Sequence, residues 1–374
     1  MTTVRPTSTN TVKPAGTGQS GSTGKSVGTV EFGRRTWVLR RSRMALRWQA
    51  RTLVVSALLA ALTVVVTSCA LALRDYPLSL AQVWAALTDD PAAGFARTVV
   101  FEWRAPRAIA AVVFGAGLGA AGAVFQSLTR NPLASPDIIG ISAGSYTGAL
   151  IVIVVVQGSY LQLTAGAFTG GIATAAVIYL LAWRQGVQGF RLIIVGIAIS
   201  AMLTSFNTWL MLSAQLEVAL AAAAWGAGTL GGLGWQETLV GGGVVLALLV
   251  VLATFGRALR QLELGDDAAR ATGTRAEPVR LAVIVIAVAL TAVVASATGP
   301  IAFIALAAPQ IARRLCRAPG IAVVPSALTG AVLLAAADVA ALNLLPVALP
   351  VGVVTVVLGG GYLLWLLVHE VRSR

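Results

Sequence analysis

The sequence predicts an all-α, polytopic membrane protein with ten transmembrane helices. Three observations predict it. Hydrophobic residues make up 57% of the 374 and charged residues 11%, where a soluble domain carries roughly a quarter charged. Apolar runs of about twenty residues, the length that crosses a bilayer as a helix, recur from Thr52 to the C-terminus. Of the 27 lysines and arginines, only Arg74, Arg97, Arg104 and Arg107 fall opposite the termini in a ten-span topology. Basic loops mark the cytoplasmic face, so a multi-pass protein of the plasma or inner membrane with both termini cytoplasmic is expected. The same asymmetry accounts for the net charge of +13 without nucleic acid as a partner.

In chain order, residues 1–50 are Thr, Ser, Gly and Pro with scattered basic residues, closing on the arginine-rich stretch that begins at Arg34. That composition buries too little apolar surface to fold, so a disordered, basic cytoplasmic tail is expected, with anionic membrane lipid as its partner. Its GTGQSGSTGKS is not a phosphate loop: Gln19 stands where the first glycine belongs, and no strand precedes it. Residues 51–374 form the transmembrane domain, opening with a span over 52–73. A signal peptide is the rival reading, with Val66-Thr67-Ser68-Cys69 as a loose cleavage site. The run is longer than the roughly 7–15 residues of a signal core.

Arg74 to Trp103 reads as an external segment with a short interfacial helix around Leu80 to Leu87. Further spans are expected at 106–128, 136–156, 162–183, 191–213, 238–256, 280–297, 301–316, 321–341 and 351–368. They are separated by Gln157-Gly158-Ser159, the basic loop 184–191, Thr298-Gly299-Pro300 and the turn from Leu345 to Pro350. Trp225 and Trp235 bracket a glycine-rich break that suits a short helix or re-entrant element at the membrane interface.

The chain is organised around RAPRAIAAVVFGAGLGAAGAVFQSLTRNPLASPDIIGISAGSYTG, residues 104–148. Gly115, Gly119 and Ala123 form a small-residue stripe on one helix face, suited to close helix packing. Gly117, Gly119 and Gly122 also spell G-x-G-x-x-G, but apolar residues flank them at transmembrane length, where a dinucleotide site needs a strand before and a helix after. No hydrolase, kinase or metal-site constellation is present. Cys69 and Cys316 are expected at opposite faces, and the single histidine, His369, reads as an interfacial side chain. Asp338, near the outer end of the ninth span, is the best intramembrane acid, with a structural or gating role expected.

The order R-x-P-R, Gly/Ala-rich helix, G-A-V-F-Q-x-L-T-R-N-P-L-A-x-P-D, then G-I-S-x-G resembles the permease subunit of ABC importers for iron–siderophores and vitamin B12, over about residues 50–370. The resemblance implies a dimeric type II importer permease fold. It implies an alternating-access pathway for an iron–siderophore chelate, shared with a second permease as homo- or heterodimer. It also implies an ABC ATPase subunit and an extracytoplasmic substrate-binding protein as partners. ATP and Mg would sit on the ATPase, so no cofactor or metal is expected on this chain and no enzymatic activity of its own.

Site roles follow from the same resemblance. The segment LELGDDAARATG resembles the coupling helix that docks on the ATPase, giving that role to Leu264, Gly265, Asp266, Asp267, Ala269, Arg270 and Gly273. Gly265 and Ala269, four apart, would allow close approach to the partner; a solvated loop is the plainer reading from charge alone. Arg104 and Arg107 would meet acidic residues of the binding protein, with interfacial anchoring as the alternative. Asn131, Pro132, Leu133, Gln188 and Gly189 would narrow the pathway at its cytoplasmic mouth, or form plain turns. Two positions depart from the family: Gln310 where it has histidine, and Leu342 with a missing glutamate in the last turn, which removes external charge. An ATP-independent secondary carrier, a cobalamin or haem importer permease, and a non-transporting scaffold or receptor are the other readings. Few intramembrane acids weigh against the carrier.

Overall fold

The computed structural model describes residues 36–41, 44–73, 76–88, 90, 93–183, 189–318, 320, 322–344 and 346–372. The chain divides into two units, residues 1–49 and 50–374. In the first, residues 1–35 lie outside the described residues. Its described part is not the irregular chain expected: β1 (Thr36–Arg41) and β2 (Met44–Gln49) pair antiparallel, from Thr36 opposite Gln49 to Arg41 opposite Met44. Trp37, Val38 and Trp48 supply the aromatic and β-branched content that suits a strand.

The second unit is helical throughout its described elements. They are α1 (Ala50–Ala72), α2 (Leu80–Leu87), α3 (Phe95–Thr98), α4 (Ala105–Thr129), α5 (Pro136–Ile139), α6 (Ile141–Leu150), α7 (Tyr160–Ala182), α8 (Gly189–Ser213) and α9 (Leu216–Gly226). Then follow α10 (Trp235–Thr254), α11 (Gly256–Glu263), α12 (Asp266–Ala271), α13 (Ala276–Thr298), α14 (Ile304–Cys316), α15 (Val323–Asn343) and α16 (Val351–Arg372). Among the described residues, seven helices are long and apolar enough to cross a membrane.

The three remaining predicted spans take other forms. The third is broken: Gly140, with φ 102°, ends α5 and starts α6, and a π-helical stretch, Ile151–Val156, completes the run. The eighth is short, because Thr298-Gly299-Pro300 delays helix α14 to Ile304. Its 13 residues cover about 20 Å, short of the roughly 30 Å of a bilayer core. The last, α16, runs past the expected end to Arg372. The second span is longer than predicted: helix continues from Phe95 to Thr129 through a π-helical turn at Val99–Arg104. Pro106 lies inside this continuous helix, just past the π-helical turn, where the Phe101 carbonyl accepts from Trp235 Nε1 at 2.9 Å.

Helix α4 is the axis of the core. It packs on α15, α14, α13 and α10, and its side chains Phe114, Leu118, Val124 and Phe125 are buried with Leu290, Leu334 and Ile304. Such close approach needs small residues. A Cβ on Gly115 would fall onto the Gly330 carbonyl of α15, one on Gly119 onto Ser326, and one on Gly122 onto the Ala305 carbonyl of α14. The G-x-G-x-x-G glycines therefore lie inside a packed helix, with no strand before them. Helix α1, in contrast, buries few residues, Leu59 and Leu71 among them, and leaves Val54, Leu58, Leu62, Val64 and Val65 exposed, as a span with a lipid-facing side would. Helix directions alternate. Arg51 at the start of α1 donates to the Leu315 carbonyl near the end of α14. The end bearing Arg51, Arg130, Arg280, Arg313 and Arg314 is termed the basic end.

Candidate functional site: an ion-paired outer end and a helical loop at the basic end

At the end opposite the basic one, the two arginines of R-x-P-R are not presented outward. Arg104 is buried, and its Nη1 donates to the Leu71 carbonyl at 2.7 Å and the Ala72 carbonyl at 3.3 Å, its Nη2 to Tyr76 at 2.7 Å. It thereby caps the C-terminal carbonyls of α1, where a cation is favoured. Arg107 reaches Asp338 of α15 in a two-pronged pair: Nη2 to Oδ1 at 2.7 Å, Nε to Oδ2 at 3.0 Å and to Oδ1 at 3.1 Å. Asp338 is 3% exposed and Arg107 9%. Both guanidiniums, expected to meet a binding protein, have partners inside the chain, because a charge buried this deeply needs one. Leu342 and Asn343 border the pair. The exposed groups of this end are largely apolar and aromatic: Tyr76, Trp84, Phe95, Phe101 and Trp103.

At the basic end, α4 stops at Arg130, whose φ of 50° gives a left-handed cap. Asn131-Pro132-Leu133 then turns the chain, with the Asn131 side chain accepting from the Leu133 N–H at 2.9 Å. Leu133 is exposed. The Pro132 carbonyl accepts from Gln310 Nε2 at 3.0 Å; the same nitrogen donates to Gln126 Oε1 at 2.6 Å, and Gln126 Nε2 donates to the Leu306 carbonyl at 3.0 Å. Gln310, noted as a departure, therefore ties the N-P-L turn to α14 through neutral hydrogen bonds. Gly189 starts α8 directly against Thr129, where a Cβ would meet that residue's backbone at 2.7 Å. Gln188 lies outside the described residues.

The loop after α10 folds as two short helices joined at Gly265. That residue has φ 117°, a conformation open to glycine and strained for any side chain. Asp266 and Asp267 open α12, where the helix dipole favours acids, and Arg270 lies in its last turn. Leu264, Asp267, Arg270 and Gly273 are exposed. Ala269 is not: it is fully buried with Leu262 and Ala276 in a small cluster that also holds Leu128 and Val279. The expectation that Ala269 faces a partner is thereby corrected, since its small size serves the seat of the loop on this chain. Between the loop and the ends of α4 and α8 lies a cleft of about 510 Å³, lined by Leu128, Thr129, Arg130, Gly189, Leu264–Ala268 and Arg280.

Sequence reading passed over two residues here. Arg280 counted only as one more basic charge, yet its Nη2 binds Asp266 Oδ1 and its Nη1 binds Glu277 Oε1, both at 2.6 Å. Asp137, just before the break at Gly140, accepts from Ser142 Oγ at 2.5 Å, and its other carboxylate oxygen is buried. A P-D pair at a helix start reads as an ordinary cap, so nothing local marked its burial. Among the described residues, no group of three or more His, Cys, Asp or Glu stands close enough to hold a metal ion, and both cysteines are free.

Comparison with known proteins agrees over the whole helical unit. The FecCD transport family profile matches residues 57–369. The chain is 47% identical over 298 residues to the ferric enterobactin transport system permease protein FepG of Escherichia coli (strain K12), covering 79% of this chain and 90% of that protein. It is 35% identical over 324 residues to the achromobactin transport system permease protein CbrC of Dickeya dadantii (strain 3937), covering 84% and 90%. A solved structure described as an inward-facing conformation of a metal-chelate type ABC transporter matches with TM-score 0.76 at 26% identity, over 85% of this chain and 99% of that one. The membrane-length helices packed around the glycine-rich α4 are therefore those of a transport permease, and the chain belongs to the FecCD transport family.

Proposed function

We propose that this chain is the membrane permease subunit of an ATP-driven importer for a ferric siderophore. A second permease would complete the pathway, a separate ABC subunit would hydrolyse ATP, and an extracytoplasmic binding protein would deliver the chelate. Both termini and the basic end face the cytoplasm. The carrying observation is the helical loop at the basic end: its outer face offers Leu264, Asp267 and Arg270, while buried Ala269 fixes its inner face to the chain. A loop both anchored and exposed suits transmission of force from a soluble ATPase. The printed names of the relatives support a ferric siderophore as cargo. Asp338, the acid a proton-coupled carrier would use, is held by Arg107, which favours the ATP-driven reading.

The test is purification of the tagged protein in mild detergent, wild type beside Leu264→Arg with Asp267→Arg. Both substitutions fall on exposed positions, so the fold is spared. An ABC ATPase is expected with the wild type and lost with the double variant. A wild type that recovers no ATPase under conditions where a related importer does would remove the proposal.

A further inference from the structure

The loop must pass its motion to a membrane helix, and its attachments to the rest of the chain are unequal. Toward α4 the attachments include two long hydrogen bonds, Arg130 Nη2 to the Leu262 carbonyl at 3.4 Å and Ser127 Oγ to Glu263 at 3.2 Å, both on α11, and the packing of Leu128 on the Ala269 cluster. On the α4 and α8 side, α12 faces the open cleft. Toward α13 the attachment is short and charged. Asp266, the first residue of α12, holds Arg280 at 2.6 Å, and Arg280 is 8% exposed. Ion pairs of this length are among the strongest hydrogen bonds, and a guanidinium so desolvated is not readily released. Glu277 holds the other prong, but from α13 itself. Only Asp266 crosses between elements.

Helix α13 suits the transmission of force. It is buried along most of its length and packs on α4, α7 and α10. Its 23 residues span about 35 Å. At its far end the Thr298 carbonyl accepts from the Thr229 N–H at 2.7 Å, and the Gly228 carbonyl in turn accepts from the Gly352 N–H at the start of α16 at 3.0 Å. Three chain breaks thus meet where α13 ends.

We propose that Arg280 is a positioning residue that locks the coupling loop to α13 through Asp266, so that displacement of the loop moves α13 as a rod. The inference rests on the importer reading. Without the lock, the ATPase still docks on the exposed face of α12, but the loop pivots into the cleft and ATP is spent without transport.

The test uses the complete importer, with permease, ATPase and binding protein reconstituted in vesicles and ferric siderophore as cargo. ATP hydrolysis and uptake are measured in the same vesicles. Arg280→Gln is expected to bind wild-type amounts of ATPase while uptake per ATP falls about tenfold or more, and Asp266→Asn to lower uptake per bound ATPase to the same degree. The double variant should be no worse than either alone. Glu277→Gln, which removes only the prong within α13, should stay within about twofold of wild type. Equal losses in Glu277→Gln and Asp266→Asn would make Arg280 a local brace and overturn the inference, as would wild-type coupling in Asp266→Asn. Loss of ATPase binding in Arg280→Gln would also overturn it, by showing that the pair holds the docking surface itself. Failure of the importer reading looks different: wild-type vesicles would then show no ATP-driven uptake at all.

Discussion

Arg107 and Asp338 stand 231 positions apart in sequence and 2.7 Å apart in space. Each was visible in the sequence alone, one as an outward-facing arginine and the other as an isolated intramembrane acid. Their pairing was not, because no periodicity connects the start of one helix with the end of another so far along the chain. The pair gives Asp338 a structural partner, in keeping with one of the two roles expected of it, and gives Arg107 a partner inside the chain. Removing one partner leaves an uncompensated charge in a site that water scarcely reaches. Asp338→Asn is therefore expected to cost about 3–5 kcal/mol of stability, whereas Arg107→Met with Asp338→Leu should recover most of it. Thermal unfolding in one detergent checks this. A single variant as stable as wild type would show that the pair is not what holds α4 to α15. Arg280 escaped notice for a related reason. Its partner Asp266 is only 14 residues away, but across a turn whose geometry depends on Gly273, with φ 83°. The N-P-L turn, carried by its own proline and asparagine, was legible directly.

Among the elements, long apolar helices were read within a few residues, since bilayer length and composition fix them locally. The misreadings came where a helix is interrupted within an apolar run. Gly140, the π-helical stretches and the late start of α14 leave hydropathy unchanged, so only packing reveals them. The glycines of α4 were legible as a packing stripe, though not which helices they meet. At Gly122 an added Cβ falls on the Ala305 carbonyl, whereas at Gly243 of α10 it meets nothing within 4 Å. Gly122→Ala should therefore force α14 away and destabilise by about 1–3 kcal/mol. Gly243→Ala should be neutral or stabilising by up to about 1 kcal/mol through helix propensity alone. The same unfolding measurement distinguishes them. Equal effects would mean that the α4–α14 contact is loose enough to absorb a methyl group.

For the whole molecule, the argument turns on charge. The described residues of the basic end include Arg51, Arg130, Arg257, Arg260, Arg270, Arg275, Arg313, Arg314 and Arg317, while the opposite end keeps Arg97 beside the committed Arg104 and Arg107. With Arg104 and Arg107 withdrawn into the fold, the surface asymmetry is steeper than the sequence count implied. It supports the proposed orientation, on which every functional role depends, for a loop facing outward meets no ATP. In a background of Cys69→Ala and Cys316→Ala, single cysteines placed at Glu102 and Asp267, both exposed, report on the two ends. A membrane-impermeant maleimide applied to intact cells should label Glu102→Cys at once and Asp267→Cys only after permeabilisation. The reverse pattern would place the helical loop outside the cell, and a soluble ATPase could then have no part in moving it.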